Sequence, residues 1–203
     1  MWCGKICESG VQMKARDMIV KSMKRAKEER GLRVSKPNNY LSEGHIRKAD
    51  HNLIVMTDLG KLGHEDWVVI SAYYAMYQSA TALLVRIGLE SKDHATTVAV
   101  LEYFFGEQIS KELIGKFNEL KESKDKIEAI TIHEKYIDYL WKIKRARETV
   151  QYGISINFKE TDVAMRNARD FVSKIKLVLS ELDDKLIEII GKKIKELQDS
   201  ARD

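Results

Sequence analysis

The chain has 203 residues, of which 44% are hydrophobic and 33% charged, so its composition excludes an intrinsically disordered protein. The single proline argues against a strand-rich fold, which would need more turn residues. The net charge of +4 permits an anionic partner without demanding one.

The N-terminal residues carry no apolar segment typical of a signal peptide. The longest uncharged run, residues 67–85, contains several Ser, Tyr, Gln and Thr side chains and favours a buried helix over a membrane span. We therefore expect a cytoplasmic protein without a membrane segment. Cys3 and Cys7 form at most half of a zinc site, so reduced thiols are expected, and we predict neither a metal nor a cofactor.

The first predicted helix spans residues 11–30, with one loose apolar stripe and a basic opposite face, and Gly31 ends it. Residues 31–41 are predicted to be a linker, so an N-terminal segment 1–41 is set apart. This helix could simply add to a bundle with a solvated face. Alternatively, its basic face could contact RNA phosphates.

Ser42 is the predicted N-cap of a second helix that runs to Leu59. A third helix, from Glu65 to Ile87, is apolar nearly all round and should be the central, most buried element, with Gly88 ending it. Helices at 92–105 and 107–121 are predicted to follow.

A long helix is predicted from Lys124 to Tyr152, followed by a loop at 153–159. Thr161 or Asn157 is the predicted cap of the next helix. An apolar stripe over residues 186–197 continues toward the C-terminus and could extend the bundle or pair across a dimer. The fold class predicted from these patterns is all-α.

Common catalytic motifs are missing from the sequence. It has no Walker-type phosphate loop, no dinucleotide-binding glycine pattern and no zinc-protease H-E-x-x-H motif. No serine stands in a nucleophile elbow. These absences remove the usual phosphate-loop and metalloprotease interpretations, but they leave other catalysis open.

Three features could carry function. Tyr73 and Tyr77 share a helix face and Tyr74 is turned away, an arrangement that core packing also explains. His94 follows the break at Gly88 and suits proton transfer, although a histidine at a helix start more often caps or packs.

The third feature is the end of the long helix. Arg145 and Tyr152 are seven residues apart and share one face, and Arg147 shares another with Gln151. Cations near a helix C-terminus are favoured by the helix dipole alone. A guanidinium and a phenol beside a cleft would also suit contact with a phosphate or a base.

Together these segments resemble the HEPN (higher eukaryotes and prokaryotes nucleotide-binding) superfamily, in its small stand-alone prokaryotic branch. The most specific part is Ser71-Ala72-Tyr73-Tyr74-Ala75-Met76-Tyr77, and the similarity covers roughly residues 42–180. It is also carried by Lys48–Leu53, by Gly88, Ser91 and His94, by Arg147–Gly153 and by Thr161–Val172.

The resemblance implies an up-and-down helical bundle, commonly a homodimer. Many members are RNases or toxins of toxin–antitoxin pairs, and a minimal nucleotidyltransferase is a common partner. Active RNases of the superfamily carry an Arg, a polar residue and then a His. Here those positions fall on Arg147, Glu148 and Tyr152, and no His follows His133. A tyrosine is a poor general base at neutral pH, which argues against RNA cleavage.

The leading hypothesis is a HEPN-like module that binds RNA or a nucleotide, with a 42–180 bundle and a 181–203 helical extension. Arg147, Tyr152 and His94 are the candidate catalytic residues, and Arg145, Tyr74 and Glu148 are the candidate ligand contacts. An endoribonuclease toxin with a non-standard site and a purely structural helical adaptor are the alternatives.

Overall fold

A computed structural model of the chain describes residues 10–28, 31–107, 123–152 and 158–202. The all-α prediction is confirmed: helices dominate, and the strands in the described residues form one two-residue pair. The elements are α1 (Gly10–Lys24), β1 (Arg33–Val34), α2 (Asn39–Lys61), α3 (Glu65–Arg86), β2 (Leu89–Glu90), α4 (His94–Phe105), α5 (Ser123–Ile130), α6 (Glu134–Tyr152), α7 (Phe158–Glu181) and α8 (Asp184–Arg202).

Helix α3 lies at the centre of the bundle, as its apolar sequence predicts. It packs against α2, α6 and α7, and most of its side chains are buried. By length and composition α3 could cross a membrane, yet 72% of its apolar window is buried inside the fold. That burial is typical of the core helix of a bundle.

The start of α2 differs from the prediction. Asn38 caps the helix, because its side chain accepts a hydrogen bond of 2.9 Å from the backbone N–H of Leu41. Ser42 is instead buried inside the helix, where its hydroxyl donates to the Ala82 carbonyl of α3 at 2.8 Å. The predicted cap was wrong because a tertiary hydrogen bond claims the Ser42 hydroxyl.

The predicted linker contains a short strand. β1 pairs antiparallel with β2, with Val34 opposite Leu89. Gly88 ends α3 as predicted, and it has a φ of +82°, which favours glycine. A Cβ there would lie 2.7 Å from the Ser35 carbonyl oxygen. The absence of a side chain at Gly88 therefore allows β1 to approach β2.

The predicted long helix is two helices, α5 and α6, separated at residues 131–133. The backbone N–H of Ile132 donates to the Phe105 carbonyl at 2.7 Å instead of continuing a helix. Lys174 of α7 donates to the carbonyls of Glu128 and Ala129, which satisfies the end of α5. These are tertiary contacts, which periodicity does not reveal.

Two further predictions concern α7 and the segment before α5. α7 begins at Phe158, so Thr161 lies inside the helix and does not cap it. Asn157 lies outside the described residues, as does nearly all of the helix predicted at 107–121.

Helices α1 and α8 pack on the bundle and on each other. α1 ends at Lys24, earlier than predicted, and buries Ala15, Ile19 and Met23. The Arg16 guanidinium donates to Ser200 of α8 at 3.2 Å. The α8 stripe (Leu186, Ile190, Ile194 and Leu197) is buried in the same continuous core as α3. The C-terminal stripe therefore extends the bundle within the chain, while the three-part division stays a prediction.

Candidate functional site

Arg147 lies on the inward side of α6. It follows Leu140 by seven residues and Ile143 by four, and both of those side chains are buried. Its Cζ lies 5.2 Å from the centroid of the Tyr73 ring of α3, a cation–π distance. Its Nε is buried without a hydrogen-bond partner among the described residues. α6 thus places a cation against an aromatic ring at a core-facing position.

The tyrosines of α3 are arranged as their spacing predicts. Tyr73 and Tyr77 stack with ring centroids 5.8 Å apart and planes at 9°. Tyr74 turns outward, is 39% exposed and meets the Tyr73 ring edge-on at 5.2 Å. One tyrosine therefore offers an accessible ring beside the buried Tyr73 and the half-buried Tyr77.

His94 is the first residue of α4 and is 8% exposed. The cap of α4 is Asp93, whose carboxylate accepts from the Thr96 N–H at 2.8 Å, so His94 packs and does not cap. Its ring lies 5.9 Å from that of Tyr73, 6.2 Å from that of Tyr77 and 5.3 Å from that of Trp141. We call these four rings (Tyr73, Tyr77, His94 and Trp141) the aromatic cluster.

Both ring nitrogens of His94 are buried without a hydrogen-bond partner among the described residues. Burial and, to a lesser extent, the nearby Lys144 cation lower the pKa of His94 to about 4, although Asp93 and Glu148 act in the opposite direction. His94 is therefore neutral at pH 7. A weak, enclosed base of this kind is poorly suited to the proton transfer considered for His94, whose catalytic role stays a prediction.

Burial and, to a lesser extent, the neighbouring Tyr77 also raise the pKa of the Tyr73 phenol to about 12, although Arg147 lowers it. The pKa of Tyr77 is raised as well, chiefly by burial. The aromatic cluster is thus uncharged at neutral pH, and Arg147 is the cation that lies against it.

Charged side chains of α6 border the aromatic cluster. Lys144 pairs with Glu148 at 2.9 Å and lies 6.0 Å from the Trp141 ring centroid. The hydrogen bond from Lys144 lowers the pKa of Glu148, so that carboxylate is ionised at pH 7. Arg147, by contrast, forms no ion pair with a described residue. Its charge is compensated in part by the Tyr73 ring and, at longer range, by Glu148.

The structure brings four of the predicted site residues together and leaves two apart. Arg147, His94, Tyr74 and Glu148 all lie at or beside the aromatic cluster. Tyr152 is 76% exposed at the end of α6. It lies five residues after Arg147, about 140° around the helix. Its predicted catalytic role stays a prediction, but the geometry does not place it with Arg147.

Arg145 faces a different surface. It lines a cleft of about 420 Å³ between α6 and α7, together with Tyr139, Lys142, Ile143, Ala146, Thr149, Val163, Ala164 and Asn167. Arg145 and Arg147 are two residues apart, which turns them about 160° from each other. Any ligand contact by Arg145 would therefore belong to that cleft and not to the aromatic cluster.

The sequence left two members of the site with two interpretations and did not single out a third. Tyr73 and Tyr77 were a candidate feature that core packing also explains, and Trp141 was not named as a site residue. The available signal was spacing, because Trp141 and Glu148 are seven residues apart and share the face of α6 that meets His94. Lys144 lies between them on the same helix.

A metal site is not indicated by the part of the chain that the structure describes, which holds no group of three or more His, Cys, Asp or Glu side chains placed to bind an ion. Cys3 and Cys7 lie outside those residues.

The chain matches the HEPN domain over residues 42–185. This range covers α2 to α7 and with them the whole aromatic cluster, so the chain belongs to the HEPN domain family. The family resemblance stated from the motifs is confirmed, and the match ends five residues beyond the predicted limit of 180. No curated protein matches the chain. α1 lies outside the matched range.

Proposed function

We propose that this protein is a HEPN-domain module that binds RNA, or a nucleotide, at Arg147 without cleaving it. The observation that carries the proposal is the half-buried Arg147 guanidinium, which lies on Tyr73 and has no carboxylate partner among the described residues. A guanidinium is suited to phosphate because its donors match the phosphate oxygens.

The exposed ring of Tyr74 supports the same proposal. Stacking on an aromatic side chain is a common way of binding an unpaired base, and it tolerates any sequence. Tyr74 contacts Tyr73, which contacts Arg147, so a phosphate on the guanidinium and a base on Tyr74 would be neighbours. Glu148 is ionised beside them and would disfavour a phosphate on its own side.

The state of His94 and the position of Tyr152 favour binding over cleavage. Proton transfer needs a group of suitable pKa within reach of the substrate. The His94 nitrogens are enclosed and the pKa of His94 is about 4. Tyr152 lies on another face of α6. An endoribonuclease would require a rearrangement that exposes His94.

The proposal extends to assembly. Leu62 and Trp67, at the junction of α2 and α3, are 70% and 55% exposed, which gives this junction two apolar side chains for a second copy of the chain. We therefore propose a cytoplasmic homodimer, working with a minimal nucleotidyltransferase. Light scattering of the purified protein, alone and mixed with such an enzyme, measures both assemblies.

The function is tested with a mixed-sequence single-stranded RNA pool. Binding and cleavage are measured for the wild type, Arg147→Ala and Tyr152→Ala at 50 and 200 mM salt. We expect binding without cleavage, weakened at least tenfold by Arg147→Ala, because a charge-assisted contact contributes about 1.5–3 kcal/mol. Tyr152→Ala should have little effect.

Arg166→Ala is the matched control, since Arg166 is an exposed arginine of the neighbouring helix α7. Equal binding by Arg147→Ala and Arg166→Ala would contradict the proposed site. Cleavage that disappears in Arg147→Ala would establish the endoribonuclease instead. Absence of both binding and cleavage would leave the structural adaptor.

A further inference from the structure

The positive charge of the chain is concentrated in its first described segment. Residues 10–28 contain six basic and two acidic side chains, a net charge of +4 that equals the net charge of all 203 residues. The basic residues are Lys14, Arg16, Lys21, Lys24, Arg25 and Lys27. The rest of the chain is balanced, so α1 and the turn after it form its cationic end.

Among the described residues, the lysines of this segment have no carboxylate partner of the kind that several lysines on other helices have. In the described residues, the one ion pair of the segment joins Arg25 to Glu28 at 4.0 Å. On other helices, lysines pair repeatedly with carboxylates, at Lys61, Lys126, Lys135, Lys142, Lys144, Lys176 and Lys192. The charge of α1 is therefore not neutralised by its own surface.

These cations are held in a fixed arrangement. Lys14 and Lys21 are seven residues apart and share one exposed side of α1, and the exposed Arg25 lies in the turn that directly follows the helix. Lys14 and Lys21 are separated by about 10 Å along the axis at 1.5 Å per residue. The opposite side, with Ile19, is buried in the core, and Ser22 accepts a hydrogen bond from Thr96 of α4 at 3.2 Å.

Residues outside α1 extend the surface. The Arg33 side chain of β1 donates to the Ala26 carbonyl at 3.2 Å, which holds a further exposed cation beside the end of α1. Cations near a helix C-terminus are favoured by the helix dipole, but Lys14 lies in the second turn, beyond the reach of that effect. The dipole alone does not account for the whole surface.

We propose that the exposed side of α1, formed by Lys14, Lys21 and Lys24, together with Arg25 in the turn after it, binds the phosphate backbone of RNA. This rests on the proposed function, because it gives the RNA held at Arg147 a second, sequence-independent contact outside the HEPN domain. A membrane surface fits less well. Interfacial helices insert an apolar face, and the apolar face of α1 is buried within the bundle.

The test compares salt dependence. The affinity of the full chain for a mixed-sequence single-stranded RNA is measured from 50 to 300 mM NaCl for the wild type, Arg147→Ala, Lys14→Gln/Lys21→Gln and the control Lys48→Gln/Lys185→Gln. Removing one lysine–phosphate interaction should lower the slope of log K against log salt by about 0.7. We expect the slope of the Lys14/Lys21 variant to fall by about 1.4 and its affinity to fall about tenfold at 50 mM salt.

The four lysines are exposed, so all variants should keep the wild-type Tm, and the control should keep the wild-type slope. An unchanged slope in Lys14→Gln/Lys21→Gln, with weaker binding by Arg147→Ala, would overturn the α1 surface and leave the proposed site intact. The reverse pattern would support the α1 surface and overturn the Arg147 site. Binding to phosphatidylserine vesicles but not to RNA would overturn both.

Discussion

Arg147 stands in a stripe of α6 whose preceding members are apolar. The guanidinium is retained there because the Tyr73 face takes the place of a carboxylate partner. Such a contact compensates the charge only partly, and the buried Nε has no partner among the described residues. A bound phosphate would supply the missing acceptor. At the scale of single residues, the site is thus defined by an unfulfilled hydrogen bond.

His94 should make the stability of the protein depend on pH. Its pKa is lowered from 6.5 to about 4 on folding, so the unfolded chain binds a proton between those values that the folded chain does not. Stability is therefore complete above pH 6.5 and falls as the pH drops toward 4. Between pH 7.5 and 4 the wild type should lose about 3 kcal/mol more than His94→Phe, measured by urea unfolding.

The Phe variant is the suitable comparison because it keeps the ring packing and removes two unpartnered nitrogens. At pH 7.5 it should be at least as stable as the wild type, since replacing an unsatisfied polar group by an apolar one of similar shape is neutral or favourable. An NMR titration that gave His94 a pKa near 6.5 would show that its ring is not enclosed, and it would contradict this prediction.

At the scale of elements, Lys174 caps the C-terminal end of α5. It is 8% exposed, and its ammonium donates to the Glu128 and Ala129 carbonyls at 2.7 and 3.0 Å. Burial lowers its pKa. This contact, with the Ile132 hydrogen bond to Phe105, turns α6 away from α5 and sets the direction in which Trp141 meets His94 of α4 and Arg147 meets Tyr73 of α3.

Lys174→Met should therefore destabilise the fold by about 2 kcal/mol, because two buried carbonyls lose their donor. Lys176→Met on the same helix is the control. Lys176 forms an exposed ion pair with Asp50, so its loss should cost less than about 1 kcal/mol. Urea unfolding measures both, and equal effects would contradict the capping role of Lys174.

The elements also show what local sequence could predict. Gly88 and the Tyr73–Tyr77 face were predictable because they depend on one residue's backbone or on helix geometry. The α5–α6 break and the buried role of Ser42 were not, because Lys174 and Ala82 act from distant parts of the chain. For the site, Arg147 was found by motif, whereas the enclosure of His94 by three rings depended on how α3, α4 and α6 pack.

At the scale of the whole molecule, one continuous core joins α1 and α8 to the HEPN domain. Ile190 of α8 is fully buried, so Ile190→Ala should destabilise the protein by about 2–5 kcal/mol. The fluorescence of Trp141, measured with Trp2 and Trp67 replaced by Phe, reports on the distant α6. The midpoint of the unfolding transition seen by Trp141 should shift to lower urea in proportion to that loss of stability.

Leu177→Ala is the control, since Leu177 is 44% exposed on α7 and should change the midpoint little. If Ile190→Ala left the midpoint of the Trp141 unfolding transition unchanged, α8 would unfold separately from the domain. Such a result would support the predicted division at residue 180.

The central claim is that Arg147 and Tyr73 act as one RNA-binding unit, and a double-mutant cycle tests it most directly. RNA affinity is measured for the wild type, Arg147→Ala, Tyr73→Leu and the double variant, with Tyr73→Phe as the control that keeps the ring. We predict wild-type affinity for Tyr73→Phe and a similar loss for both single variants and the double variant, because the two groups act together on one phosphate. Wild-type affinity in Arg147→Ala, or additive losses in the double variant, would contradict the claim.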